Sequence, residues 1–508
     1  RGRQAPSGAA LVIEDKRLLG GAILVLALLA AVASRRLQLP LLITFLALGM
    51  LLGSEGLGGI YFDNAQLARS IGILALIAIL FEGGLSTDWP DIRPVAVPAV
   101  VLSTLGVVVT AAVTALPAYY LLDLKASEAL LLGAVVGSTD AAAVFATLRF
   151  TTLRRRLAAL LNAESGANDP MAVALTLGLI AWIEKPGYGV DDLLLLLVRQ
   201  LGLGLVIGVG LGLVARWLLP RLPTDLAPFA PVASLATAAV TYGLADAAHG
   251  SGFLAVYIVA LFLGNTPMPL GRSIVAFHEG LAFLAQVVLF IVLGLLVFPS
   301  RLDPVAVEAI ALAAVLVFVA RPLAVVVSTL GFDFNARERV FLSWAGLRGA
   351  VPIVLATFAL SAGIGASNTI FNAVFFVVIV SALVQGLTLE RLAERLHLAG
   401  EGKPFPEMPV EVGAVQALGG EILEHGVDRG DAAVGSRVLG LGLPPDSIVM
   451  LIVRDGVGIP PRGSTVIEAG DVLYVLSTRK VQAQVEALVD VWQRGPMPAP
   501  VQQVAAAD

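Results

Sequence analysis

Cysteine is absent from all 508 residues. That one absence excludes disulfides, thiolate metal sites, cysteine nucleophiles and iron–sulfur clusters. Histidine is nearly absent too: there are 4, scattered along the chain. No HExxH pattern and no convincing Ser/His pair can be assembled from them, which argues against an intramembrane enzyme. Charge is scarce, at 14% of residues, where a soluble protein of this size would carry about a quarter. What fills the chain instead is apolar, 57% of it. Apolar runs of roughly 17 to 25 residues, each long enough to cross a bilayer, recur from about Leu18 to Leu387. Beyond Gly400 the charges return and no run is long enough to span. The chain starts at Arg1 without a Met, so no leader is argued for or against.

Thirteen spans are expected, near 18–33, 39–53, 66–84, 95–121, 127–148, 158–183, 191–217, 228–247, 252–266, 278–298, 304–330, 338–364 and 368–388. Arg and Lys at cytoplasmic ends set orientation. With the N-terminus outside, the inner connections hold Arg35, Arg36, Arg93, Arg149, Arg154, Arg155, Arg156, Arg221, Arg272, Arg337, Arg339, Arg391 and Arg395. The outer ones hold Lys125, Lys185 and Arg301, with Arg69 at a boundary. This sorting makes the net charge of −5 uninformative. It places the C-terminal region in the cytoplasm. The expected fold is an all-α polytopic membrane domain over 1–398, followed by a small α+β domain.

Charges inside a bilayer are costly and mark functional sites. Span five reads LLLGAVVGSTDAAAVFATL, with Asp140 well inside it behind Gly137, Ser138 and Thr139. Span six contains ESGANDPMAV, where Glu164 and Asn168, and likewise Ser165 and Asp169, lie four apart and form two adjacent helical stripes. Pro170 leaves the Gly166 carbonyl without its helical donor and tends to kink the segment. Span eleven places Arg321 beside Pro322 in mid-membrane, and span twelve places Arg348 between Gly346 and Gly349. Spans five and twelve, both Gly-interrupted and seven apart, would be oppositely oriented, as in inverted repeats whose broken helices cross.

Three deep carboxylates, Asp140, Glu164 and Asp169, thus face two deep guanidiniums. Two ion pairs are expected, with one carboxylate left over. A buried, uncompensated carboxylate is relieved either by a proton or by a cation. Competition for that one group yields near one-for-one, electroneutral exchange. Asp169 is expected to be the exchanging group, with Asp140 and Glu164 paired to the arginines in an order the sequence leaves open. Glu82 is read as a cap or gate residue, or as simply interfacial. Asp246 and His249 fall at an outer turn. His278 and Glu279 are read as opening span ten, either as a helix start or as an aid to proton entry.

These segments resemble bacterial potassium/proton antiporters of the NhaP type, in the first monovalent cation/proton antiporter family. The resemblance rests on FEGGL (81–85), GSTDAAAVF (137–145), ESGANDPMAV (164–173), ARPL (320–323) and GLRGAVPIVLA (346–356). It implies a dimeric thirteen-span transporter with a six-span inverted repeat, and an elevator-like motion of a core domain against a dimerisation domain. The family's ion site maps onto Thr139, Asp140, Glu164, Ser165, Asn168 and Asp169. Asp169, Ser165 and Thr139 would hold the monovalent cation, and Arg321 and Arg348 would play supporting roles. Many sodium/proton relatives read Thr-Asp-Pro in span five, whereas here Ala141 follows Asp140. The Ala form resembles the potassium-linked subgroup, although the residue types alone admit either cation.

After a linker at 399–407 come a strand VEVGAV (410–415), EILEHGV, SIVMLIVRDGVGIP with Asp-Gly turn chemistry, VLYVLST, and a helix from about Lys480. Short strands with two helical stretches fit an α+β unit over 408–492, and a flexible tail over 493–508 ends the chain. The unit resembles the TrkA-C half of the regulator-of-potassium-conductance module, which implies small-ligand regulation at a dimer interface. No G-x-G-x-x-G follows a strand, so NAD or ATP sensing is not expected. A cyclic dinucleotide is one candidate ligand and a purely structural dimerisation role is the alternative. The expected partners are the bilayer of a bacterial inner membrane, a second copy of the chain and a small-molecule regulator, with no nucleic acid and no resident cofactor. A ligand-gated cation channel is the competing reading, although no filter-like TVGYG is present.

Overall fold

The computed structural model describes residues 8–37, 40–148, 153–221, 227–266, 271–398, 420–428, 430–454, 457–478 and 480–494. The chain divides into a large helical unit and a small C-terminal α+β unit.

The helical unit opens with α1 (Gly8–Leu37), α2 (Leu41–Leu52) and α3 (Ala65–Leu85). A single turn, α4 (Trp89–Ile92), leads into α5 (Ala96–Leu121). Span five is two short helices, α6 (Ala126–Val135) and α7 (Ala141–Thr147), with extended chain between them. Then follow α8 (Arg155–Glu184), α9 (Val190–Leu218), α10 (Ala230–Ala247), α11 (Gly252–Gly264) and α12 (Gly271–Leu295). Span eleven is α13 (Ala306–Val315) and α14 (Arg321–Thr329), joined through a π-helical turn at Leu316–Ala320. Pro322 has no N–H to offer the carbonyl four residues back, and a widened turn is one way a helix absorbs such a loss. Span twelve is again broken, into α15 (Ala336–Trp344) and α16 (Ala350–Ser361), and α17 (Ser367–Arg395) closes the unit.

Seven stretches among the described residues are long and apolar enough to cross a membrane unaided. Five shorter apolar helices accompany them, the half-helices α6 and α16 included. The broken spans follow from composition. Gly137, Ser138 and Thr139 in one, and Gly346 and Gly349 in the other, are poor helix formers, with glycine costing about 1 kcal/mol against alanine. Span six behaves otherwise: α8 runs on through Pro170 as one helix.

Lipid removes the hydrophobic drive between helices, so packing relies on small residues that let backbones approach. Gly49 of α2 lies against the main chain of Gly294 in α12, and Gly133 of α6 lies against the main chain of Ala111 in α5. A Cβ at either glycine would collide with its neighbour's backbone. In this way α2, α3, α9, α11 and α12 form one group and α5, α6, α8 and α13–α17 another, meeting where α8 packs on α9 and α11 and where α3 packs on α16.

The C-terminal unit is a four-stranded antiparallel sheet in the order β1-β4-β2-β3, from β1 (Gly420–Gly426), β2 (Ser447–Arg454), β3 (Val457–Ile459) and β4 (Val472–Thr478). Central β4 carries buried side chains on both faces. Leu473 and Val475 pack with Val485, Val489 and Trp492 of α18 (Gln482–Arg494), while Val472 and Tyr474 pack with Ile422 and Val453. Of the two helical stretches expected, α18 alone lies among the described residues. The strand expected at 410–415, the linker, the Asp455–Gly456 turn and Arg149 lie outside them.

Candidate ion site

The two broken spans meet at their breaks. The Asp140 N–H donates to the Leu347 carbonyl at 2.9 Å, joining one interruption to the other through main chain. A broken helix leaves carbonyls without partners at the C-terminal end of its first half, and that end carries partial negative charge. Arg348 answers both deficits at α6, since its Nη1 donates to the carbonyls of Gly137, at 3.0 Å, and Ser138. At the second break, α17 supplies the partners. Gln385 Nε2 donates to the Trp344 carbonyl at 2.9 Å, and the Arg348 N–H donates to Ser381 Oγ at 3.0 Å.

This corrects the expectation of two ion pairs. Arg321, 3% exposed, forms a bidentate pair with Glu164, 1% exposed, at 2.6 and 3.0 Å, and donates further to the Leu342 carbonyl at 3.3 Å. Arg348, 1% exposed, spends its charge on helix-end carbonyls and makes no carboxylate pair among the described residues. Asp140 therefore has no arginine. It caps α7 instead, accepting from the Ala143 N–H at 3.0 Å, and its carboxylate abuts Gly349, the residue that caps α16. Two helix N-termini, both positive ends, surround it.

Asp169 has none of these supports. It is 8% exposed, and its Oδ1 has no hydrogen-bond partner among the described residues. Asp140 is near enough to interact with it electrostatically, and Ser138 lies beside its carboxyl group. Both aspartates line a half-open cavity of about 280 Å³. Ser165 lines it too, and its Oγ accepts from the Ala141 N–H at 3.2 Å.

The other three residues expected at the site lie behind this wall. Asn168 Nδ2 donates to Thr139 Oγ1 at 2.6 Å, and Thr139 Oγ1 donates to Glu164 Oε1 at 3.4 Å, linking the chain Asn168–Thr139–Glu164–Arg321. The Thr139 hydroxyl is thus engaged on both sides rather than free toward the cavity.

The cavity also takes in groups the sequence did not put there. Glu82, near the end of α3, lines it, with Ser86 Oγ donating to its carboxylate at 2.9 Å. Asn162 lines it as well, and its spacing of three and seven from Ser165 and Asp169 on α8 was the available signal. Gln286 on α12 carried no local mark. His278 is not at a helix start, since α12 begins at Gly271 and His278 is buried against Ser234 Oγ at 2.8 Å and the Phe81 ring. Asp246, in the last turn of α10, and His249, in the turn just after it, are both exposed.

Residues 22–395 match the family described as sodium/hydrogen exchanger, transmembrane, and residues 422–490 match the TrkA-C domain. The chain belongs to the sodium/hydrogen exchanger family. Within it the exchanger is of the NhaP type. It is 39% identical to the K(+)/H(+) antiporter NhaP of Alkalimonas amylolytica over 90% of this chain and 80% of that one. It is 38% identical to the K(+)/H(+) antiporter NhaP2 of Shewanella sp. (strain ANA-3), over 94% and 83% respectively. Among solved structures, the sodium proton antiporter MjNhaP1 from Methanocaldococcus jannaschii superposes with a TM-score of 0.67 at 25% identity, covering 76% of this chain and 99% of that one. The exchanger is accordingly a multi-pass membrane protein and a secondary antiporter, not an enzyme, with a TrkA-C domain behind its helices.

Proposed function

We propose that the exchanger moves potassium against protons, one for one, through alternate occupation of Asp169. The observation that carries this is the Asp169 carboxylate, buried with its Oδ1 unbonded among the described residues, without an arginine, and facing a cavity beside a second aspartate. Glu164 is already neutralised by Arg321, and Asp140 is supported by two helix ends. Asp169 alone is left to find compensation, which a proton or a cation supplies equally well. A hard cation there is met by oxygens of Asp169, Asp140 and Ser165, while Thr139, Asn168 and Glu164 hold these in place. Because one carboxylate accepts one charge of either kind, the cycle moves no net charge.

Potassium is favoured over sodium by the two potassium-exchanging relatives above and by the Ala141 form of span five. The arginine distribution supports an outside N-terminus, with the cavity mouth at Glu82 and the C-terminal domain both cytoplasmic in a bacterial inner membrane. The exchanger works as a homodimer in pH and potassium homeostasis, with the TrkA-C domain, joined by the 399–407 linker, regulating it through a small ligand such as a cyclic dinucleotide. Titrating the full-length protein with candidate nucleotides tests that last point, and no heat with any of them removes it.

The decisive test uses proteoliposomes containing a pH-sensitive dye, with an imposed proton gradient and added potassium or sodium. Potassium-triggered proton movement is expected in the parent and absent in Asp169→Asn. Sodium-only activity would overturn the substrate. Exchange surviving in Asp169→Asn would overturn the role of Asp169, and cation flux without protons would establish a channel.

A further inference from the structure

The glycines draw a boundary between the two helix groups. Among the described residues, wherever a glycine brings two helix backbones together, both helices belong to the same group. Gly84 lies against the Tyr257 carbonyl and Gly208 against the main chain of Ala255 in one group, as Gly133 lies against Ala111 in the other. Gly72, Gly166 and Gly178 sit where the groups meet, and they face side chains instead: Val354, the Tyr257 ring and Leu193. Backbone seated on backbone holds one close register, whereas a side chain can turn away and take a new partner.

Of these seams, the one between α3 and α16 prolongs the ion cavity. Leu76, Ile79 and Leu80 of α3 line the cavity, as do Ala350 and Val351 of α16. One turn further from the mouth at Glu82 the two helices close on each other. A Cβ on Gly72 would lie 2.7 Å from Val354 Cγ1, and both residues are buried. At the next turn Arg69 reaches across. Its guanidinium stands over the Phe358 ring at 4.3 Å, and its Nη1 donates to Ser361 Oγ at 3.2 Å. Glu82 and Arg69 are the charged residues of α3, one near each end. Arg69 makes no carboxylate pair among the described residues, so a ring face and a hydroxyl hold its charge.

We propose that the α3–α16 seam, latched by Arg69, is the gate on the far side of the ion site and parts once in every exchange cycle. The inference rests on the exchange proposed above, since one carboxylate that serves both sides of a membrane must face each in turn. The cavity gives Asp169 the Glu82 end. Along the same two walls, the other end is reached only past Gly72, Val354 and Arg69. The latch suits repeated opening: pulling Arg69 off a ring strands no buried carboxylate, as breaking a buried ion pair would.

The chain has no cysteine, which makes the seam directly testable. A Cβ on Gly72 would lie 3.5 Å from Val354 Cβ, within the separation of about 3.5–4.5 Å that a disulfide spans. The test uses full-length protein in proteoliposomes carrying Gly72→Cys and Val354→Cys. Oxidation is expected to consume both thiols and to abolish potassium-triggered proton movement, and a reductant to restore it. Each single variant is expected to ignore the oxidant. Joined protein that exchanges as fast as its reduced form, or thiols that never join, would overturn the gate. Val354→Cys with Gly72 kept gives a second reading that needs no side chain at 72. In right-side-out vesicles, a membrane-impermeant maleimide is expected to label it severalfold faster when Arg69→Ala is also present, and equal rates would remove Arg69 as the latch. If the parent itself shows no exchange, the failure belongs to the proposed function, because the maleimide rates do not depend on exchange.

Discussion

Ala141→Pro is a small change with a calculable consequence for cation choice. The Ala141 N–H donates to Ser165 Oγ at 3.2 Å, using one lone pair of an oxygen that faces the ion cavity. Proline has no N–H and returns that lone pair to the cavity. The backbone is prepared for it. Residue 141 is the first of α7, the helical position where proline is best tolerated. Asp140 before it is extended, at φ −115° and ψ 103°, as a residue preceding proline prefers. A net hydrogen bond is worth about 0.5–1.5 kcal/mol, and because part of the gain is common to both ions, releasing it should shift relative cation affinity by at most roughly two- to twelvefold. The direction follows from ligand strength: a freer oxygen favours sodium, the smaller and more strongly hydrated ion. Dye-loaded proteoliposomes titrated with each salt give the apparent affinities. An unchanged potassium-to-sodium ratio, in protein that inserts at normal abundance, would refute the reasoning.

Three further outcomes follow from the geometry. Glu164→Gln strands the buried Arg321 guanidinium and should cost about 3–5 kcal/mol of stability. The double variant with Arg321→Met should recover much of it, and equal thermal midpoints in detergent for the parent and Glu164→Gln would contradict the pairing. A single nitrogen, Arg348 Nη1, meets both the Gly137 and Ser138 carbonyls, and a lysine ammonium also offers several donors from one nitrogen. Arg348→Lys should therefore keep much of the exchange, whereas Arg348→Met, which leaves both carbonyls unpartnered, should lose it although the protein inserts. At the edge of the helical unit, Ser300 donates to Glu55 through its N–H at 2.7 Å and its hydroxyl at 2.5 Å, which holds that carboxyl below its ordinary pKa. A lowered folded-state value stabilises above the ordinary carboxylate pKa and is lost as pH falls through the folded value. Glu55→Gln should therefore lower the thermal midpoint slightly at neutral pH, the site being solvent-exposed, and not at all in strong acid.

Much of the site was legible because charges stand out in apolar runs. Asp140, Glu164, Ser165, Asn168 and Asp169 were singled out by type and spacing, and the structure brings them together. Their pairing was not legible. Sequence counts charges on side chains, and the partner Arg348 takes is a helix end, whose charge belongs to no residue. Glu82 was legible only as a gate or an interfacial residue, because an apolar run shows where it ends and not which cavity that end lines. His278 was misplaced: α12 begins at Gly271, and the apolar pattern had dated its start too late.

The bond from the Asp140 N–H to the Leu347 carbonyl has a consequence for how this protein is best interrogated. It fastens two distant stretches of chain through groups that every ordinary residue possesses. Replacing either side chain leaves the join intact, so a substitution scan passes over it in silence, however much depends on it. What would register is chemistry aimed at the backbone itself, an ester in place of the amide at 140. The part of the site least visible to mutation is thereby the part that holds its halves together.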